Sequence, residues 1–442
     1  MSGASHTSNV IFYPLVDAVL ADTKPKHHTF SLRLIALSIA LYSQVGLGRR
    51  TVVKVLELIH RYVLDTPKLP GPSAVRNWAL KLGKQLLSPP PASPIRQRSG
   101  SWCLIADISI KVGSQRLLLL LGVDLTSYDF AQPLTFADIE VLGLVVKRRK
   151  SWTAECIVEI LRQRILPHSQ IDYMVCDGGP NLRSAAQRLG LVCIDDIGHA
   201  VGRALKRHYS ARPDFEAFIE KCVHLRRYNT INSDSHLRPP KLRGTARFMN
   251  LSGLVEWGYK LLAVLDGKTG PRHKKKIFTD QHRAKVAWLE DYRPMITKLH
   301  RTMKVLDNIL RALKAEGLSE QTVDWALKRL GSNDTTAGLH SGVYRQIKSY
   351  LKTQLCQCRA LNKEAVICST DIIESCFGKY KYRAGKQTNT TYLCAEIASY
   401  GIERIDYGLV KRAMEGTRLC ELKKWHDEQL CYLASNKAKQ SA

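Results

Sequence analysis

Residues Tyr173–Leu182 read YMVCDGGPNL. A short apolar run ends on Asp177, and two glycines and a proline follow at once. The run has the length of a buried strand. Asp-Gly with a following proline is turn chemistry. An ordinary turn explains Asp177. So does a strand end that presents one carboxylate to a metal, and that second reading requires further carboxylates in comparable settings. Upstream, SWCLIADISIKV (101–112) and QRLLLLLGVDL (115–125) flank Gly113-Ser114 and read as a hairpin. QPLTFADIEVLGLVV (132–146) predicts a third strand, and Ala154, Ile157, Val158 and Leu161 have helical spacing. IDYMVC is a fourth strand, GPNLRSAAQRLG a helix, LVCI a short fifth strand and GHAVGRALKRHY another helix. Three consecutive strands followed by helix–strand alternation predict an α/β fold, a mixed five-stranded sheet with helices on its faces.

The ends of the chain differ in character. Residues 1–30 carry little periodicity and are expected to be loosely ordered. From 31 to 87 the pattern is helical, with Val52, Val55, Leu56 and Ile59 on one face. The next helix, opened by Gly71-Pro72 and Ser73, buries Val75, Trp78, Ala79 and Leu82 and offers Arg76, Asn77, Lys81 and Lys84 on its other side. That pattern suits a helix-turn-helix recognition helix, and equally a small helical bundle with a solvated basic face. SPPPASPIRQRSGS (88–101) reads as a Pro/Ser-rich linker. From 212 to 363 the strand signals give way to helical text broken by loops such as NSDSHLRPPKLRG, an all-helical block between the first part of the sheet domain (102–211) and its second part with a helical, basic tail (364–442).

The chain has 442 residues, with 67 Lys plus Arg against 39 Asp plus Glu, a formal charge of +28. That surplus is spread along the chain and suits a polyanionic partner, nucleic acid above all. No apolar run reaches the roughly 18 residues of a membrane span, and the first residues lack a signal-peptide pattern. Most of the 12 cysteines sit in apolar runs and read as reduced core residues. Cys356 and Cys358 do not have zinc-finger spacing.

A second carboxylate, Asp107, interrupts the apolar first strand CLIADISI, where a charge needs compensation. In the expected sheet the first and fourth strands are neighbours, so Asp107 and Asp177 would project near each other. Two close carboxylates repel unless a cation lies between them, and hard Mg²⁺ prefers oxygen ligands. The third candidate is in ICSTDIIESCFGKYKYR (367–383). Glu374 in a first turn is favoured by the helix dipole, and with Asp371 it resembles a capping pair. Lys381, seven residues on, shares its face, which suits a metal ligand beside a phosphate-gripping cation.

These residues resemble the catalytic set of DDE transposases, whose RNase H-like domain is split in some members by an all-helical insertion. Asp107, Asp177 and Glu374 match the carboxylates, and Asp196-x-x-His199 is similar to the Cys/Asp-x-x-His motif of the split-domain members. The separation 374 − 177 = 197 exceeds an uninterrupted RNase H-like domain, and the block 212–363 accounts for the excess. The resemblance implies an RNase H-like fold, two Mg²⁺ ions (Mn²⁺ as a substitute) held by the three carboxylates, and DNA cleavage followed by 3′-OH joining. It implies His199 orienting a phosphate or aiding the leaving group, where the residues themselves equally allow a helix-start histidine bonding locally. An insertion aromatic, Trp257, would stack on a flipped base, where a core tryptophan is the plainer reading. Partners would be transposon ends and target DNA, in a homodimer or higher synaptic oligomer. The location would be the bacterial cytoplasm, or the nucleus in a eukaryotic host. The competing classes are a transposase-derived DNA-binding regulator without catalysis and an RNase H-like nuclease. Asp124, Asp195, Asp196 and Asp371 lie near the chosen carboxylates as alternatives.

Overall fold

The computed structural model describes residues 20–62, 68–87, 98–112, 115–148, 152–166, 169–231, 237–242, 248–249, 251–268, 278–331, 341–384, 398–399 and 405–429. Helices α1 (Leu32–Ser43), α2 (Arg49–Tyr62) and α3 (Pro72–Leu87) come first. The sheet strands are β1 (Arg98–Val112), β2 (Gln115–Asp124), β3 (Ile139–Arg148), β4 (Ser169–Cys176) and β5 (Val192–Asp195). Between and after them lie α4 (Ala154–Arg164), α5 (Pro180–Arg188) and α6 (Ile197–Tyr209). The strand order is β3-β2-β1-β4-β5. β1 to β3 form an antiparallel meander and β4 pairs parallel with β5. This is the mixed α/β sheet expected of an RNase H-like domain. The hairpin tip 113–114 lies outside the described residues. The third strand starts at Ile139 rather than 132, because Asp138 accepts from the Thr135 backbone and hydroxyl and closes a turn there.

The helical block holds α7 (Pro213–Ile231), α8 (Ser252–Leu265), α9 (Asp280–Val286), α10 (Arg293–Glu316), α11 (Glu320–Gly331) and α12 (Ser341–Ala360). Two short strands, β6 (Leu318–Ser319) and β7 (Ala365–Val366), pair across it. Helices α13 (Asp371–Ala384), α14 (Tyr407–Gly416) and α15 (Leu419–Gln429) close the described chain. None of the described helices is long and apolar enough to cross a membrane. Among the described residues no cysteine is in a disulfide.

The chain forms two compact units, one of residues 1–128, 135–172 and 371–442, the other of 129–134 and 173–370. In the first, α1 to α3 do not close a core by themselves. Ile35, Ile39, Val75, Trp78, Ala79 and Leu82 share one core with Val410, Ala413 and Met414 of α14. Residues 1–19 lie outside the described chain, but 20–30 are packed: Ala21 is buried and Phe30 meets Trp78 edge-on at 5.4 Å. β1 begins at Arg98, inside the stretch read as linker; 88–97 are not among the described residues. The helix expected to present a basic reading face, α3, is the centre of this bundle and packs on α1, α2, α14, α15 and β3. Lys81 is buried, and its ammonium donates to the Met414 carbonyl at 3.0 Å and contacts His28 Nε2 at 3.2 Å. Burial pulls the Lys81 pKa down, against the opposing pull of Glu421. Lys84 lies 3.6 Å from Glu421, and Arg76 and Asn77 are half-buried. The apolar spacing was sound; the basic residues between could not reveal that a C-terminal helix covers them.

Met414 is 2% exposed in this shared core. Met414→Ala should cost about 2–5 kcal/mol, and hydrogen exchange should show the loss as lower protection of α3 amides, far away in sequence. Unchanged α3 protection would mean that the front helices hold together without α14.

Candidate active-site residues

In the first unit Asp107 sits in β1 opposite Leu119 of β2 and is 7% exposed. Its neighbours Leu104, Ile105 and Ala106 are fully buried, so the carboxylate sits in an apolar strand. α13 packs on the same strand. Glu374 lies in its first turn and is exposed, as is Asp371. Lys381 follows two turns later on the same helix; nothing is described of its side chain. Asp107 and Glu374 thus belong to one unit and Asp177 to the other.

Asp177 is half-buried and directly follows β4. Its side chain accepts from the Gly179 amide at 2.7 Å, and its carbonyl accepts from Arg203 Nη1 at 2.6 Å. Gly178 has φ +81° and lies against two guanidinium groups: a Cβ there would meet Arg203 Nη1 at 2.8 Å and Arg183 Nη2 at 3.1 Å. Glycine is required by the backbone and by this packing. The turn is therefore an Asx-type turn, and also a carboxylate fixed at a strand end.

Asp196 and His199 are joined. Asp196 is fully buried and caps α6, accepting from the His199 amide at 2.5 Å and lying 2.9 Å from His199 Nδ1. Its other oxygen accepts from the Thr370 amide at 2.7 Å. Burial raises the Asp196 pKa, but the hydrogen bonds and charge of His199 and the Thr370 amide outweigh it and hold the carboxyl below its usual 3.8. His199 thus bonds locally. The segment after the helical block is pinned by the same region: Ile197 N donates to Cys368 O at 3.0 Å, and Ile367 N donates to the buried Tyr173 hydroxyl at 2.9 Å. Trp257 on α8 is half-buried, and its indole Nε1 is enclosed with no hydrogen-bond partner among the described residues.

Sequence reading passed over a different convergence in the second unit. Cys176 Sγ lies 3.2 Å from Cys193 Sγ, and with Asp195 they offer ligand atoms all within 4.8 Å of one another. Both cysteines read as plain core residues; only the parallel register, which sets Met174 opposite Cys193 and Cys176 opposite Asp195, brings them together. Arg183 forks onto the Asp195 carboxylate, with Nε at 2.9 Å, and Arg203 Nη2 is 3.9 Å away. Cys193, Asp195, Arg183 and Arg203 border a cavity of about 740 Å³ that also includes Arg207 and Tyr350.

No family model matches the chain, and no curated protein matches it. Among solved structures the chain is similar to one described as "Drosophila P element transposase strand transfer complex". The identity is 11%, the match covers 85% of this chain and 92% of that one, and the TM-score is 0.41.

The Asp196 hub makes a pH prediction. Its folded pKa lies below the unfolded value, so its contribution is complete above about pH 4 and is lost as pH falls through the folded pKa. Asp196→Asn should destabilise by on the order of 2 kcal/mol at neutral pH and flatten the acid limb of a melting-temperature profile. A variant whose acid limb matches the wild type would rule the hub out as its source.

Proposed function

We propose that this chain is a DNA transposase that binds the ends of a mobile element, cleaves phosphodiester bonds and joins 3′-OH ends to target DNA. The observation that carries this reading is the return of the chain after the helical block. At 374 − 177 = 197 residues beyond Asp177, α13 comes back onto β1, the strand of Asp107, with Glu374 in its first turn. The strand order, with β4 next to β1, supports adding Asp177 to the set.

The donor chemistry fits Mg²⁺. All three candidates are carboxylates, hard oxygen donors of the kind Mg²⁺ prefers. Asp107, Asp177 and Glu374 would hold two such ions, with Mn²⁺ as a substitute. When bound, the ions would favour deprotonation of the attacking water or 3′-hydroxyl and offset charge on the leaving oxygen. The residues themselves supply the positioning. Strand register fixes Asp107, the Arg203-clamped turn fixes Asp177, and the exposed first turn of α13 leaves Glu374 room to adjust. Lys381, on the same helix, would grip a phosphate. His199, engaged with Asp196, holds the start of α6.

For DNA ends, α2 is the better candidate than α3. Arg49, Arg50, Lys54 and Arg61 are exposed on it, with no ion-pair partner among the described residues. α1 and α2 are joined by the short connection 44–48, a helix-turn-helix arrangement in which α2 is the exposed member. Pairing of two ends would require at least a dimer.

The test is cleavage and joining of DNA carrying the gene's own flanking termini, in Mg²⁺. Wild type should give joined products, while Asp107→Asn, Asp177→Asn and Glu374→Gln should bind the termini and give none. Asp371→Asn should retain activity. Wild-type protein that binds but never cuts would instead make the chain a DNA-binding regulator.

A separate measurement addresses α2. Arg50→Ala with Lys54→Ala should weaken binding and lower the slope of log affinity against log salt by about 0.9 for each lost phosphate contact. An unchanged slope would remove α2 from the DNA interface.

A further inference from the structure

We propose that Cys176, Cys193 and Asp195 form a binding site for one thiophilic divalent cation, Zn²⁺ in the first place, at the ends of β4 and β5. It is distinct in residues and in ligand chemistry from the three-carboxylate set. The observation is the convergence itself: two thiol sulfurs 3.2 Å apart and a carboxylate oxygen, with all ligand atoms within 4.8 Å of one another. A tetrahedral zinc with Zn–S bonds of about 2.3 Å holds its two sulfurs roughly 3.8 Å apart. The sulfurs therefore need to part by only a few tenths of an ångström. A disulfide would require them to close to about 2.05 Å, a larger movement of two strand ends already locked in parallel register.

Charge points the same way. Two thiolates and the Asp195 carboxylate bring three negative charges, and the cation and Arg183 bring three positive ones. The fork of Arg183 does not exhaust Asp195, since a carboxylate has about four lone-pair positions. Cys193 and Asp195 border the 740 Å³ cavity, which gives the ion an entry path and a place for water as fourth ligand. On binding, each thiol releases its proton to solvent and forms one sulfur–metal bond, with no change of oxidation state. Soft sulfur ligands select zinc over magnesium. The bound ion would clasp β4 to β5 one residue before Asp177.

Cobalt reports the site directly, because only sulfur ligands give Co²⁺ a charge-transfer band in the near ultraviolet. Full-length reduced protein, stripped with a chelator and dialysed, should develop that band and saturate it at one equivalent of Co²⁺, and Zn²⁺ should bleach it. Cys193→Ser should abolish the band. Asp195→Asn should weaken binding by at least about tenfold, a loss that even outer partners of a metal site can cause. Asp107→Asn should leave the band intact, which separates this site from the proposed catalytic one. A second readout does not depend on folding of any variant: Zn²⁺ should protect Cys193 of the wild type from alkylation. Absence of the band in wild type, its survival in Cys193→Ser, or equal alkylation with and without Zn²⁺ would overturn the proposal.

Discussion

A single buried carboxylate sets where the long helical block rejoins the sheet domain. Asp196 has no exposure to solvent, and its two oxygens divide between the start of α6 and the Thr370 amide. A buried charge of this kind is tolerated only when hydrogen bonds satisfy it from several sides. Here one donor, Thr370, lies 174 positions from Asp196 in sequence. The neighbouring bonds from Ile197 to Cys368 and from Ile367 to Tyr173 extend the seam. Thr370 is the last residue of the second unit, directly before α13. A long helical block can be inserted between α6 and this seam, because loop length adds little once the ends are pinned.

The same economy of contacts explains the front of the chain. Three helices of this size bury too little surface to be secure alone. They gain a fourth wall from α14, and Lys81 becomes an internal tie to the Met414 carbonyl instead of a surface charge. The aliphatic stem and the desolvated head of a lysine can both be accommodated when a carbonyl lies within reach. Positive charge is then left to α2, whose only fully buried side chains are Val52 and Leu56. An amphipathic helix anchored by two residues per four turns has most of its circumference available to a partner.

The sheet was legible because its signals are local. The apolar runs around Asp107 and Asp177, the glycine turn and the helical spacing of 154–161 each depend on neighbours within ten residues. The strand order followed from the rules of hairpin and crossover connection. What could not be read were relations between distant segments: the α14 wall against α3, the Asp196–Thr370 seam, and the Cys176–Cys193 contact. The last is instructive. Cys176 and Cys193 look alike in sequence, one near the end of each strand, and either is an unremarkable core residue. Their meeting depends on which residue of β5 stands opposite Met174, and a slip of one residue would turn Cys193 to the other face.

His199 shows why a motif is weaker than its geometry. Asp-x-x-His at a helix start is a capping pattern as much as a functional one, and here both the amide and the ring of His199 lie on Asp196. The bonds and charge of His199, with the Thr370 amide, explain why Asp196 remains ionised despite its burial.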